Sequence, residues 1–277
     1  MISNQKVVIV TGSSSGIGRE ISLVLAKNGF ITYATMRNLQ KGSDLKSIAE
    51  IERLPLHFLQ LDVTDERTIN TSIQTIYNEA GRIDILVNNA GYALSGTFED
   101  ISIDEIKAQY ETNVFGLIRT TQAVLPIMRK QKSGMIINIS SGLGRFGMPV
   151  LSGYVSSKFA VEGLSESMSH KLEPFGIKTV IVEPGVINTN FHNSMIMAEK
   201  SKDPNSPYFS LIKGRANNLN KLIANGSTSQ LVAKIVLDAV TSANPKLRYL
   251  AGKDIERWIE SKKSMTDEDF IDMIKQR

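Results

Sequence analysis

Tyr154 and Lys158 stand four residues apart in the stretch YVSSK. At about 3.6 residues per turn, a helix would aim both side chains from one face. A free phenol titrates near ~10 and is a weak base at neutral pH, but a neighbouring ammonium favours the phenolate and brings the group toward the working range. Such a pair can give a proton to a reacting oxygen or take one from it. The same spacing also arises on solvated helix faces, so its meaning depends on what accompanies it.

The first companion is TGSSSGIG at 11–18, which follows the apolar run KVVIVTG at 6–12. Gly12, Gly16 and Gly18 let backbone approach a phosphate closely, and a helix starting here would offer it unpaired N–H groups and a positive dipole end. Ser14 and Ile17 belong to the same turn. The spacing differs from G-x-G-x-x-G, so this is a related dinucleotide fingerprint rather than the same one. Residues 12–16 also fit the G-x-S-x-G elbow of serine hydrolases, with Ser14 as nucleophile and His170 or His192 as base. Against that reading, Gly18 has no role in an elbow, and an elbow is not expected on the first strand of a chain.

After the second apolar run, where an NAD-binding domain usually carries a ribose-holding acid, the sequence reads Ala34-Thr35-Met36-Arg37-Asn38 and has no carboxylate. Arg37 can pair with a 2′-phosphate through its planar guanidinium, which predicts NADP(H) over NAD(H).

The elements that must position these groups are legible as rhythm. Apolar runs at 6–12, 30–37, 56–63, 83–91, 134–141 and 177–184 alternate with helical patterns at 16–28, 65–80, 102–130 and 152–174. Nearly continuous Val, Ile and Leu suit strands buried on both faces, and strand–helix alternation builds a doubly wound parallel sheet of the α/β class. Ligands in such sheets bind beyond the carboxyl ends of the strands. From 186 to 228 the rhythm dissolves into a long stretch rich in Met, Phe and Tyr, read as a substrate loop or lid. A helix near 229–243, a strand RYLAG at 248–252 and an amphipathic tail complete the chain.

The chain has 277 residues, 42% hydrophobic and 22% charged, and no linker-like segment divides it, so a single domain is expected. It has no cysteine, which rules out disulfides, thiolate nucleophiles and cysteine-held zinc. Its three histidines, His57, His170 and His192, lack metal-ligand spacing, and no metal is expected. The net charge of +4 is spread among acidic residues rather than gathered in a stripe, which argues against nucleic acid and for an anionic small molecule. No apolar run reaches the roughly 20 residues that span a bilayer, and no signal peptide is read at the N-terminus, so a cytosolic protein is expected.

Taken together, TGSSSGIG, Asp62 in LDVTD, NNAG at 88–91, Asn113 in ETNVFG, the serine in INISS, YVSSK and EPG at 183–185 resemble, in order and spacing, the short-chain dehydrogenase/reductase family over about residues 5–190. YATMRN, the long loop and RYLAG resemble the branch containing the 17β-hydroxysteroid and retinol dehydrogenases. The resemblance implies a Rossmann-type domain and a role for each matched residue. Asp62 and the Val63 backbone would hold adenine, Asn89, Ala90 and Gly91 would line the adenosine side, and Asn88 would tie strands together. Ser141, thirteen residues before Tyr154, would be the catalytic serine in preference to Ser140. Asn113, inside a long fourth helix, would hold a water in a proton relay. Pro184, Gly185 and Thr189 would contact the nicotinamide amide and diphosphate. Lys158 would hold the nicotinamide ribose and depress the Tyr154 pKa.

The expectation is an NADP(H)-dependent oxidoreductase acting on a secondary alcohol, ketone or aldehyde. Phe191, Met195, Ile196, Met197, Tyr208, Phe209 and Leu211 make the substrate loop suited to a lipophilic molecule or to packing onto the body. A homodimer or homotetramer through 102–130 and 152–174 is implied by the resemblance. Two alternatives stay open. A non-catalytic NADP(H)-sensing or scaffold module would have no need of Ser141, Tyr154 and Lys158, and an epimerase of the wider superfamily is disfavoured by the glycine spacing and the short C-terminal region.

Overall fold

The computed structural model describes residues 5–189 and 195–275, with side chains outside 215–221. The chain runs through β1 (Val7–Thr11), α1 (Gly16–Lys27), β2 (Ile31–Met36), α2 (Ser43–Ile51), β3 (Leu56–Gln60), α3 (Glu66–Ala80) and β4 (Ile85–Asn88). Its middle holds β5 (Leu94–Ser95), α4 (Ile103–Tyr110), α5 (Gly116–Gln131), β6 (Gly134–Ile139), α6 (Ser152–Leu172) and β7 (Ile177–Pro184). The last part holds β8 (Ile187–Asn188), β9 (Ile196–Met197), α7 (Phe209–Ala224), β10 (Ser227–Thr228), α8 (Ser229–Thr241), β11 (Arg248–Ala251), α9 (Lys253–Ser264) and α10 (Asp267–Lys275).

The apolar runs form a seven-stranded sheet in the order β11-β7-β6-β4-β1-β2-β3, parallel throughout. Every residue of β1 and β4 is buried, as expected of strands covered on both faces. On one face α1 and α8 pack Ile21, Leu25, Val232, Val236 and Val240 against Val8, Val10 and Val182. On the other, α3 and α5 pack Ile69, Ile73, Ile76, Val124 and Met128 against Val7, Ile9, Leu86 and Ile136. Strand order reverses between β1 and β4, so the glycine turn after β1 and the NNAG segment after β4 open onto one crevice at the carboxyl edge.

Asn88 ties strands together as expected. Its amide donates to Asn138 Oδ1 and Thr121 Oγ1, each at 2.9 Å, and its oxygen accepts from Thr120 at 2.6 Å. Asn138 passes the chain to α6 by donating to Ser165 Oγ at 2.7 Å. These groups are all buried, so each bond replaces water that cannot enter.

Three expectations change. A helix not foreseen, α2, lies between β2 and β3, too short to show a clear period. The single helix read over 102–130 is α4 and α5 joined by a π-helical turn, Glu111–Phe115, which carries Asn113. The supposedly irregular stretch 186–228 contains the 16-residue α7 and three short strands; Gly214 and polar residues such as Asn217, Asn218 and Asn220 dilute the helical pattern there. Of its seven apolar candidates, Phe191 lies outside the described residues.

Removing the central tie tests its weight. Asn88→Ala is expected to lower the unfolding free energy by about 3 kcal/mol in chemical denaturation, because several buried partners lose their bonds at once. A loss below about 1 kcal/mol would mean that the chain of amides and hydroxyls is replaced without difficulty.

Candidate active site

The site starts at the glycine turn. Gly12 and Gly16 adopt left-handed φ values of 70° and 58°, which a side chain would strain. A Cβ at Gly12 would lie 2.8 Å from Ala90 Cα, and one at Gly18 would collide with the Asn89 amide. Thr11 and Asn89 lock this arrangement. The Thr11 hydroxyl accepts the Asn89 and Ala90 N–H groups at 3.0 Å, and Asn89 Nδ2 donates to the carbonyls of Thr11 and Gly12 at 2.9 and 3.1 Å. Thr189, 173 positions beyond Gly16 in sequence, comes within 3.7 Å of where a Gly16 Cβ would be. Ile17 packs on the core below, and Ser14 is half-buried in the turn.

Helix α1 begins without help. Ser15 at its N-cap makes no side-chain capping bond, and its first turn contains no acidic residue. The helix end that faces the crevice therefore carries neither an N-cap side-chain bond nor a first-turn acid, which fits a diphosphate. Arg37 is exposed just beyond β2 and makes no ion pair among the described residues. Beyond β3, Asp62 Oδ1 accepts the N–H and hydroxyl of Thr64 at 2.9 and 2.8 Å, and Val63 is buried against Gly116. Arg37 and Asp62 thus lie just beyond the carboxyl ends of β2 and β3, on the side of the crevice away from β6, and the residues along it fit a nicotinamide dinucleotide.

A second group of side chains gathers at the end of β6 and the start of α6. Ser141 is buried at the end of β6, where its hydroxyl accepts the Leu143 N–H at 3.1 Å and hydrogen-bonds the Tyr154 phenol. The Ser140 hydroxyl, by contrast, is enclosed and has no hydrogen-bond partner among the described residues. Lys158 follows one turn after Tyr154 on α6, its ammonium 5.6 Å from the phenol ring centre and donating to the Ile139 carbonyl at 2.9 Å. Burial pulls Lys158 down to about 8, against the opposing charge of Glu162. Glu162 is held at 3.0 Å by Arg248 of β11, and Glu183 by Arg145 at 3.0 Å. Burial and the Glu162 charge push the Glu183 carboxyl up.

The expected depression of the Tyr154 pKa is not what the chain's own groups produce. Burial pushes the phenol up to about 12, and the group that opposes this is Ser141 rather than Lys158. The ammonium is turned to the Ile139 carbonyl, and it has itself lost part of its hold on the proton.

Asn113 reaches the site but with its amide already engaged. Its oxygen accepts the Tyr92 N–H at 3.1 Å, and its nitrogen donates to Tyr92 O and Ser157 Oγ at 3.0 and 3.1 Å. The side chain therefore braces the segment after Gly91 against α6. Sequence reading missed Thr11 and Ser157, although Thr11 opens the glycine motif and Ser157 lies within YVSSK. For the hydrolase reading, His170 lies near the end of α6, a helix length from the carboxyl edge that holds Ser14, and His192 is outside the described residues.

The comparisons agree with this geometry. The model of the short chain dehydrogenase family matches residues 6–200. The oxidoreductase YusZ of Bacillus subtilis is 39% identical over 259 residues, covering 91% of each chain. Human retinol dehydrogenase 8 is 35% identical over 259 residues, covering 90% of this chain and 82% of its own. The crystal structure of a short-chain dehydrogenase from Streptomyces avermitilis superposes with a TM-score of 0.82 at 31% identity, over 94% of this chain and 93% of that one. The chain belongs to the short-chain dehydrogenase family, on the branch of the hydroxysteroid and retinol dehydrogenases, and is an oxidoreductase of a fold built for a nicotinamide cofactor. Among the described residues, no helix is long and apolar enough to cross a membrane.

Burying a lysine must show in stability. An unfolded chain keeps the lysine proton to about 10.5, but the folded one only to about 8, so between these values the unfolded state binds more protons and stability rises with pH. Lys158→Met is expected to exceed the parent protein in stability by up to about 3 kcal/mol near neutral pH, less the bond to Ile139, with the gap closing as the pH rises from about 8 to about 10. Thermal melts across that range check it; a constant gap would mean that Lys158 keeps its proton.

Proposed function

We propose that the protein is an NADP(H)-dependent oxidoreductase that interconverts a lipophilic secondary alcohol with its ketone, or an alcohol with its aldehyde. The observation that carries this reading is the meeting of Ser141, Tyr154 and Lys158 at the same carboxyl edge of the sheet as the start of α1. When bound, the nicotinamide supplies or accepts a hydride.

The chain's own residues handle binding and the proton. Gly12, Ser14, Gly16, Ile17, Gly18 and Thr189 would hold the diphosphate region, and Asp62, Val63, Asn89, Ala90 and Gly91 the adenosine. Arg37 pairs with a 2′-phosphate, and Pro184 and Gly185 take the nicotinamide side. Ser141 donates a hydrogen bond to the substrate oxygen and keeps it against the Tyr154 hydroxyl. In reduction Tyr154 gives its proton to that oxygen as the carbonyl carbon becomes C–H; in oxidation it takes the proton back. Lys158 holds the ribose and supplies positive charge beside the phenol, while Asn113 keeps the Tyr92 segment in place.

Support for a lipophilic substrate comes from the apolar side chains around β9 and the start of α7. Met195, Met197 and Phe209 are half-buried, while Ile196 and Leu211 are 49% exposed, so the segment keeps apolar surface for a partner molecule. Tyr208 is instead tied by its hydroxyl to Glu99 at 2.7 Å. The likeness to retinol dehydrogenase 8 points the same way. A homodimer or homotetramer in the cytosol completes the reading.

The test is consumption of NADPH and of NADH across a panel running from small polar ketones to steroid and retinoid carbonyls. Turnover with NADPH on the lipophilic members is expected; faster turnover with NADH would overturn the assignment of Arg37, and NADPH binding without turnover on any member would favour a sensing module. Tyr154→Phe should lower kcat by about a thousandfold while leaving cofactor affinity nearly intact. Arg37→Ala should weaken NADPH by about tenfold or more and leave NADH almost unchanged.

A further inference from the structure

The first turn of α9 touches two loops of the site from behind. Asp254 Oδ2 accepts the Val186 N–H at 2.7 Å. The preceding amide, that of Gly185, donates to Ala251 O at 3.0 Å, and Val186 O accepts the Ser227 N–H at 2.9 Å. Both amides that follow Pro184 are thus bonded to the C-terminal segment. The fit is close: a Cβ at Gly185 would collide with both Asp254 carboxylate oxygens, and one at Gly252 would lie 2.5 Å from Oδ1.

The next residue does the same for the serine loop. Ile255 presses on Gly142, where a Cβ would collide with its side chain, and Gly142 directly follows Ser141. Beyond it Phe146, Ile259, Phe270 and Ile274 form a separate apolar cluster joining that loop to α9 and α10. Asp254 is itself steadied, since a carboxylate in the first turn of a helix meets the positive end of the dipole.

We propose that Asp254 is a positioning residue for the nicotinamide half of the cofactor site, holding the Pro184–Gly185–Val186 turn in its binding shape through a charge-assisted bond to the Val186 amide. The proposal rests on the reading of Pro184, Gly185 and Thr189 as cofactor-facing. A turn bonded beforehand need not be ordered when the ligand arrives, so the carboxylate acts on affinity without touching the ligand. The adenosine half, held at the far end by Arg37 and Asp62, should not sense it.

The experiment is calorimetric titration of the full chain with NADPH, with NADH and with the adenosine-side fragment 2′,5′-ADP, for the unaltered protein, Asp254→Ala, Asp254→Asn and Gly185→Ala. Asp254→Ala is expected to weaken the dinucleotide by about tenfold and leave the fragment unchanged, the size of one lost charge-assisted bond. Asp254→Asn keeps an acceptor and should recover most of the loss. Gly185→Ala forces turn and carboxylate apart and should show the same selective weakening, so the comparison survives if one variant folds poorly by thermal melt. Equal loss of dinucleotide and fragment, or no loss in either variant, would overturn the assignment of Asp254 alone. If the unaltered protein binds neither dinucleotide, the cofactor reading falls and this assignment with it.

Discussion

An ammonium kept out of water is the constraint on which the site depends. Lys158 is buried, and burial of a cation is unfavourable unless dipoles and opposite charge replace its hydration. The chain provides both from different elements. The Ile139 carbonyl at the end of β6 accepts from Nζ, and Glu162, one turn further along α6, supplies the countercharge. Glu162 is in turn held by Arg248 on β11, which also reaches Glu183 on β7 at 3.5 Å. The relative positions of α6, β6, β7 and β11 are therefore coupled through one set of charges behind Tyr154 and Lys158.

Not every helix docks on the sheet in the same way. Helices α1 and α8 dock through aliphatic side chains, whose attraction is strong but not directional. The face of α6 that meets the sheet instead includes Ser157, Lys158, Glu162 and Ser165 beside Val155 and Val161. Hydrogen bonds from Asn138 to Ser165 and from Asn113 to Ser157 fix the helix in rotation as well as in place, because hydrogen bonds weaken when misaligned. Apolar burial holds the domain together; this polar seam sets where the phenol and the ammonium point.

What the sequence displayed, and what it hid, follows from the range of each interaction. β7 is recovered over 177–184 because a buried parallel strand is a contiguous apolar run. Helix α6, Ser152–Leu172, is recovered as the helical stretch 152–174 between two apolar runs, although its buried face is partly polar. The glycine turn is legible because its cause is local: φ values that glycine alone accepts readily, before a helix start. The partner that forbids a side chain at Gly18, Asn89, and the one that forbids it at Gly185, Asp254, lie 71 and 69 residues away, and nothing local announces them. The π-helical turn at Asn113 was hidden for a related reason, since it interrupts a pattern that is helical on both sides. Spacing placed Tyr154 beside Lys158 correctly, yet said nothing of the burial that decides both pKa values.

That burial holds the Tyr154 phenol in its protonated form. Left to the chain's own groups, Tyr154 keeps its proton to about 12, because burial outweighs the opposing hydrogen bond with Ser141. A phenol in this state can donate to a carbonyl oxygen with Ser141 already aligned on it. To accept a proton instead, it needs positive charge brought near, and the low-dielectric surroundings that raised its pKa also make it responsive to such a charge. The same desolvation thus sets the default role of the residue and leaves the reverse role to the charge of whatever occupies the groove. A solvent-exposed tyrosine at the same spacing would also be protonated at neutral pH, but water would screen it from such a charge, so the response of YVSSK to an occupant comes from the fold that encloses it.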